Sequence, residues 1–503
     1  MRRSLRTLLL AVLALHAAAC TQVRNPATGE LQYTSLSPEE EKRLGDQEAP
    51  KAEAQFGGRY DDPELQAYVQ RVGNRVKEAS ELKGEPFTFT VLDTDIVNAF
   101  ALPGGHIFVT RGLLALANNE AELAGVLGHE IGHVTARHTA QRYDRATLGQ
   151  LGAAAAQIGG LLLGGYLGGS EGARMGAQAG GQVGTLGAQA YVQGFSRAQE
   201  FEADQLGIRY LAAAGYDPGA MASFLEALQA NDAFQAKLAG RSQGDSPVSG
   251  WFASHPRTPD RVVRAAAEQA SDAPGSRETN PAAYLAAIDG MIFGENPAQG
   301  VVEGERFTHP GLRIAFEAPR GFKLLNQPEA VIGTDGRGRV MQFTLAPGGA
   351  SGDLRSYLQN DWVRNQRLQD VQALTVNGLD AAVGFGQVAL NNQPAAAMFS
   401  AVRGPDGAVY RLLYAKLGDL TRADVDLFEE SLRSFTPITA AQAAAIRPLR
   451  IDVVTVAPGD TLESLGRRMA VEQDPVGQFA LLNGVDRGRE LVPGEKVKIV
   501  REG

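Results

Sequence analysis

His129-Glu130-Ile131-Gly132-His133 sits inside the run AELAGVLGHEIGHVTARHT at 121–139. Two histidines four apart on a helix lie one above the other on the same face, so both rings reach one ion. The glutamate between them stands beside that ion, where its carboxylate takes a proton from a water molecule. Leu123, Val126, Leu127, Ile131 and Val134 recur at helical spacing. The pattern predicts a helix from Asn119 to about Thr139, packed on one side. The competing reading is a pair of polar histidines on an ordinary amphipathic helix, and it has to be weighed against a further acid downstream.

That acid is in SRAQEFEADQLG at 196–207, where Glu200 is followed by Ala203-Asp204. A carboxylate on a second helix facing the first completes a set of two His and one Glu. Such a set holds one Zn2+ per chain and leaves a fourth position for water. Asp204, one turn beyond Glu200, suits an acceptor for the N–H of a ligand histidine. The alternative for Glu200 is an exposed helical acid paired with Arg197.

The chain has 503 residues, 44% hydrophobic and 21% charged, with a net charge of −9, a globular composition of two to four domains. It has no basic tract, which argues against nucleic acid as a partner. Arg2, Arg3 and Arg6 precede an apolar core, Leu8–Ala19, too short for an ordinary spanning helix. It ends in Ala17-Ala18-Ala19-Cys20, which resembles a bacterial lipobox with Ala in place of the usual Leu three residues before the cysteine. The alternative is a plain secretory signal with an incidental Cys. Cys20 is the only cysteine, so no disulfide within the chain can form.

The expected organisation is a signal peptide (1–19), a tether (20–36), a metallopeptidase domain (37–271), a linker (272–304), an α/β module (305–440) and a small terminal unit (450–503). Ser37-Pro38-Glu39-Glu40 predicts a capped helix start, and Asp62-Pro63 a second. PFTFTVLD (86–93) reads as a strand, and 95–110 as an extended stretch, a Gly-Gly turn and another strand. Helical patterning resumes from Gln193 to about Ala230. Ala146–Ser170 carries no charge and is rich in Gly and Ala. For 146–194 the expectation is two packed helices or a lid beside the site, with membrane contact as the alternative.

HEIGH with the following ARHT, together with SRAQEFEAD, resembles the zinc metallopeptidase family forty-eight, which includes CAAX prenyl endopeptidases, HtpX membrane proteases and periplasmic BepA-type proteases. NAFALPGGHIFVTRGLL (98–114) and SHPRTPDR (254–261) share in the resemblance, which covers about 40–270. Large membrane-spanning portions are not evident, which points to the soluble periplasmic type. The resemblance implies a mainly α zincin-like (gluzincin) domain with a small β-sheet. It implies Zn2+ on His129, His133 and Glu200, with Glu130 as the general base. It also brings His255 and Arg261 to the site, His255 on the open metal position or as an oxyanion donor, Arg261 as added positive charge. The alternative for that pair is a His-Pro turn and a surface Arg. His106, His138 and His309 read as structural or solvated. VVTVAPGDTLESLGRRM (453–469) and LLNGVDRGRELVPGEKVKIV (481–500) resemble a βααβ LysM module, a family that binds N-acetylglucosamine-containing glycans such as peptidoglycan.

The expected protein is therefore a zinc endopeptidase lipid-anchored through Cys20 to the outer membrane and facing the periplasm. Its expected substrates are misfolded or misassembled envelope proteins, with peptidoglycan a candidate second partner. The rival reading is an envelope chaperone or peptidoglycan-binding scaffold with latent proteolysis.

Overall fold

The start signals act where the sequence places them. Ser37 and Glu40 exchange side-chain-to-backbone hydrogen bonds ahead of helix Pro38–Gln55, and Asp62 caps helix Pro63–Lys77. In this computed structural model the described residues are 21–142, 144, 195–240, 251, 255, 261, 277–348, 352–390, 393–485 and 490–503. The expected signal segment, Cys20 and the Gly/Ala stretch 146–194 lie outside them. Among the described residues no helix is long and apolar enough to cross a membrane.

The chain divides into two compact units. The first comprises residues up to Ala52, Arg59–Met291 and Ile451–Arg501. Its three-stranded sheet has the order Thr88–Leu92, His106–Thr110, Ala99–Leu102. The first pair is parallel and the second antiparallel. Packed with it are the metal helix, Glu120–Thr135, and the helices Pro63–Lys77, Arg197–Ala213 and Gly219–Leu238. The metal helix begins at Asn119, whose side chain accepts from the Glu122 N–H. Buried Glu120 accepts from the hydroxyls of Tyr68 (2.7 Å) and Tyr216 (2.8 Å), so an acid in the first turn ties down two other elements.

Four expectations need correction. The metal helix stops at Thr135 rather than running to Thr139. Arg137 takes a left-handed backbone (φ 57°), held by its bonds to the Leu36 carbonyl and Glu41. Residues 21–34, read as part of a tether, form an antiparallel hairpin, Thr21–Arg24 with Leu31–Thr34. Beyond its first strand, buried Asn25 donates to the Ala136 carbonyl (3.2 Å). Within the expected linker, Pro281–Ile288 is a helix. Its Tyr284 is fully buried and donates to the Leu114 carbonyl (2.5 Å), because Tyr284, Leu285 and Ile288 form an apolar stripe behind the Pro start signal. The expected α/β module is mostly antiparallel sheet.

That sheet belongs to the second unit, Glu53–Gly58, Ile292–Arg450 and Glu502–Gly503. Seven strands run in the order Lys323–Gln327, Ala330–Thr334, Arg339–Leu345, Val409–Leu417, Gln393–Arg403, Leu379–Leu390, Gln369–Val376. Hairpin turns join several of them, as at Gly404–Gly407, where the Gly404 N–H donates to the Ala408 carbonyl. A short turn leads to an antiparallel neighbour, whereas a parallel one needs a helical crossover. Phe307, Phe316, Phe343, Tyr410, Phe428 and Phe435 fill the core beneath helix Arg422–Ser434.

The terminal unit is built of strand Leu449–Thr455, helices Leu462–Gly466 and Pro475–Asn483, and strand Lys496–Glu502. Residues 451–501 share a compact unit with the metal helix rather than hanging from a tether. Lys498 is wholly buried, and its ammonium donates to the carbonyls of Ala115 (2.8 Å) and Ala117 (2.7 Å). This places a cation at the C-terminal end of helix Arg111–Leu116, where the backbone carbonyls are unsatisfied and the helix dipole is negative. Lys498→Met should lower the stability of this unit by about 1.5–3 kcal/mol, the worth of hydrogen bonds to a charged group. A melting transition equal to wild type would contradict the capping role.

Candidate metal centre

Small residues set how closely two helices cross. Gly128 and Gly132 on the metal helix face Ala203 and Gly207 on helix Arg197–Ala213. A Cβ on Gly207 would lie 3.0 Å from the backbone nitrogen of His129, and one on Gly132 would lie 3.0 Å from the Ala203 carbonyl oxygen. The close approach aims the Glu200 carboxylate at the two histidines.

His129, His133, Glu200 and His255 converge, all buried, with one ligand-capable atom from each within 4.8 Å of the others. His129 Nε2 is 3.0 Å from His133 Nε2 and 3.2 Å from His255 Nδ1. Glu200 Oε1 is 3.0 Å from His255 Nδ1 and 3.5 Å from His133 Nε2, and Glu200 Oε2 is 3.7 Å from His129 Nε2. Nitrogen and oxygen ligands about 2.0–2.1 Å from a small tetrahedral cation stand roughly 3.3–3.4 Å apart. The separations bracket that value, so the donor set fits such an ion. Glu130 lies alongside: its Oε1, buried and without a hydrogen bond, is 3.6 Å from His255 Nε2.

The carboxylates differ by environment. Burial raises the pKa of Glu130. Burial also pushes Glu200 upward, but His255 and Arg261 beside it outweigh that and hold it low. Asp204 has the same burial penalty, yet Arg261 and His129 bring it down to about 2. Burial depresses His133 well below the ordinary imidazole value. For His255 burial is outweighed by Glu200 and Glu130, and its pKa rises.

The structure gathers every site residue expected from the sequence into this one cluster. Asp204 Oδ1 is 2.9 Å from His129 Nδ1, and both Asp204 oxygens are gripped by Arg261, from Nε and Nη2 at 2.7 Å each. Arg261 Nη1 is 2.6 Å from Glu200 Oε2, so its guanidinium is engaged with two carboxylates. His255 lies within the donor set itself, its ring stacked on Trp251 (4.2 Å between centroids, 19°). His133 is stacked on Phe195 (3.9 Å, 25°). Neither aromatic was singled out from the sequence, and no spacing marks them. His106 is away from the cluster, bridging Thr88 (3.0 Å) and Asp46 (2.8 Å).

A helix bearing H-E-x-x-H, crossed by a second helix that brings a glutamate to the same point, is the donor arrangement of a metallopeptidase. Residues 63–269 match the model of peptidase family M48 and residues 454–500 that of the LysM domain, so the chain carries an M48 peptidase domain and a LysM domain. It is 32% identical over 242 residues to the Beta-barrel assembly-enhancing protease of Yersinia pestis, covering 47% of this chain and 45% of that protein. To the protein of that name in Escherichia coli K12 it is 34% identical over 208 residues, 40% of each chain. To the mitochondrial metalloendopeptidase OMA1 of Arabidopsis thaliana it is 33% identical over 196 residues, 39% of this chain and 34% of that one. The chain thus spans less than half the length of these curated relatives.

Gly207→Val should force the two helices apart. Overpacking of this kind costs about 1–3 kcal/mol. The expected result is a lower melting temperature together with substoichiometric metal after purification without chelators. Full metal occupancy would show that the close crossing does not set the site.

Proposed function

We propose that this protein is a zinc-dependent metalloendopeptidase of the bacterial cell envelope. The observation that carries the reading is the convergence of His129, His133 and Glu200 on one buried point with Glu130 beside it. We assign these three residues as the metal ligands. A zinc ion held there would supply Lewis acidity, making a water acidic near neutral pH and polarising a peptide carbonyl. Glu130 takes the proton of the attacking water on its carboxylate and returns it to the leaving amine. Arg261 keeps Asp204 and Glu200 charged and fixed, and Asp204 accepts the Nδ1 proton of His129.

His255 Nδ1 stands within the donor set, 3.2 Å from His129 Nε2 and 3.0 Å from Glu200 Oε1, which supports the reading of a closed site. We infer that His255 must swing out of the donor set before a substrate enters. An extended polypeptide then pairs through its backbone along the outer strand Ala99–Leu102, a mode with little demand on side chains.

Substrates of that kind are unfolded or stalled chains. The relatives' name, Beta-barrel assembly-enhancing protease, supports outer-membrane protein quality control as the setting. Peptidoglycan is the expected ligand of the LysM domain. The Ala17-Ala18-Ala19-Cys20 sequence supports lipid anchorage at Cys20, in the outer membrane and facing the periplasm. The hairpin from Thr21 onward would then leave the peptidase unit close to that anchor.

Glu130→Gln should keep stoichiometric zinc while cleavage of casein or an unfolded envelope protein falls by about 10²–10⁴-fold, the usual worth of a general base. His133→Ala should lose the metal itself. Turnover retained in Glu130→Gln would remove the general-base assignment. Rescue of an envelope defect by that variant would favour the scaffold reading. For the LysM domain, the whole chain should sediment with purified sacculi, and a chain left in the supernatant would confine that domain to its packing role.

A further inference from the structure

His133 turns one ring nitrogen toward the donor cluster and the other away from it. The second, Nδ1, is 2.9 Å from Nδ1 of His138. His138 is fully buried, and its Nε2 is 3.1 Å from Oε2 of Glu202, whose side chain is 37% exposed. A line of hydrogen bonds thus runs from the cluster to the solvent-facing side of the helix that carries Glu200.

The proton positions along this line follow from donor and acceptor rules. A carboxylate oxygen accepts, so His138 carries its hydrogen on Nε2 and offers the lone pair of Nδ1. His133 must then donate from Nδ1, which leaves the lone pair of its Nε2 facing the cluster. A carboxylate oxygen of Asp204, 2.9 Å from Nδ1 of His129, favours the proton on that nitrogen in the same sense. The two Nε2 atoms, 3.0 Å apart, therefore meet lone pair to lone pair rather than through a hydrogen bond. That contact is repulsive until a cation lies between them.

The left-handed turn at Arg137 makes the line possible. On an unbroken helix, His138 would sit five residues beyond His133 and roughly 140° around the axis. The break after Thr135 brings its ring back onto His133.

We propose that His138 and Glu202 are positioning residues for the metal: a His133–His138–Glu202 relay that sets the tautomer, ring orientation and basicity of His133. The inference rests on the metal-centre reading and extends it to two residues outside the donor set. His129 is supported by a carboxylate directly, whereas His133 is supported by a carboxylate acting through a second imidazole.

The test is Zn2+ affinity of the full chain, measured by competition with a chromogenic chelator, alongside the melting temperature of the metal-stripped protein. Glu202→Ala should bind zinc about 10–100-fold more weakly, the usual consequence of losing such a partner. Because Glu202 is partly exposed, the stripped protein should melt as wild type does, which a purely structural role would not predict. His138→Gln, whose amide can accept from His133 and donate to Glu202, should retain more affinity than His138→Leu. Wild-type affinity in Glu202→Ala, or equal affinities in the two His138 variants, overturns the relay while leaving the metal centre standing. A wild-type chain that takes up no zinc overturns the metal centre and the relay with it.

Discussion

The crossing of the metal helix over helix Arg197–Ala213 is the constraint on which the site rests. Gly128, Gly132, Ala203 and Gly207 present almost no side chain at the contact, and the backbones approach until an added Cβ on Gly132 or Gly207 would stand 3.0 Å from a main-chain atom. Helices normally pack 8–10 Å apart according to the side chains between them. Small residues spaced four apart on both partners let the backbones approach closely here. Only then can a short acidic side chain on one helix meet two imidazoles on the other. The glycines weaken each helix taken alone, by roughly 1 kcal/mol apiece relative to Ala, and that cost is offset by packing and by the ligands it brings together.

The second constraint is charge. Glu130, Glu200 and Asp204 are all buried within one cluster, and three carboxylates without compensation would be driven to protonate. His255 and Arg261 hold Glu200 down, and Arg261 with His129 holds Asp204 down, the guanidinium spanning both acids. Glu130 has no such partner within hydrogen-bonding distance, and its pKa moves up. The same pocket therefore holds two carboxylates low and lets the third rise.

Much of this centre was legible because the chemistry is local. His129, Glu130 and His133 need only helical spacing, and Glu200 and Asp204 need only a second helix with an acidic turn. His255 and Arg261 came from resemblance, since 126 residues separate His255 from His129 and no periodicity links them. His138 reads from the sequence as structural or solvated, and it is buried against His133; a continuous helix to Thr139 would carry it to another face. The stop after Thr135 depends on partners at Leu36 and Glu41, about a hundred residues upstream. In the second unit the strands were visible as alternating runs, but antiparallel pairing is decided by turns such as Gly404–Gly407 and by which faces the aromatics share. The helix at Pro281–Ile288 escaped notice because Pro, Asn and Gly in that stretch read as loop punctuation, while its single buried face is only three residues wide.

Segments outside the M48 match at 63–269 bind the backbone just beyond the metal helix on both sides. Just past its C-terminus, Ala136 offers a carbonyl to Asn25 of the N-terminal hairpin segment, and Arg137 is fastened to Leu36 and Glu41. Before its N-terminus, the Ala115 and Ala117 carbonyls are bound by Lys498 of the LysM domain, two residues short of the Asn119 cap. A buried ammonium without acceptors would be costly, so Lys498 commits the LysM strand to this one docking position. The helix that carries His129, Glu130 and His133 thus lies between hydrogen bonds from the segment Asn25–Glu41 on one side and from strand Lys496–Glu502 on the other.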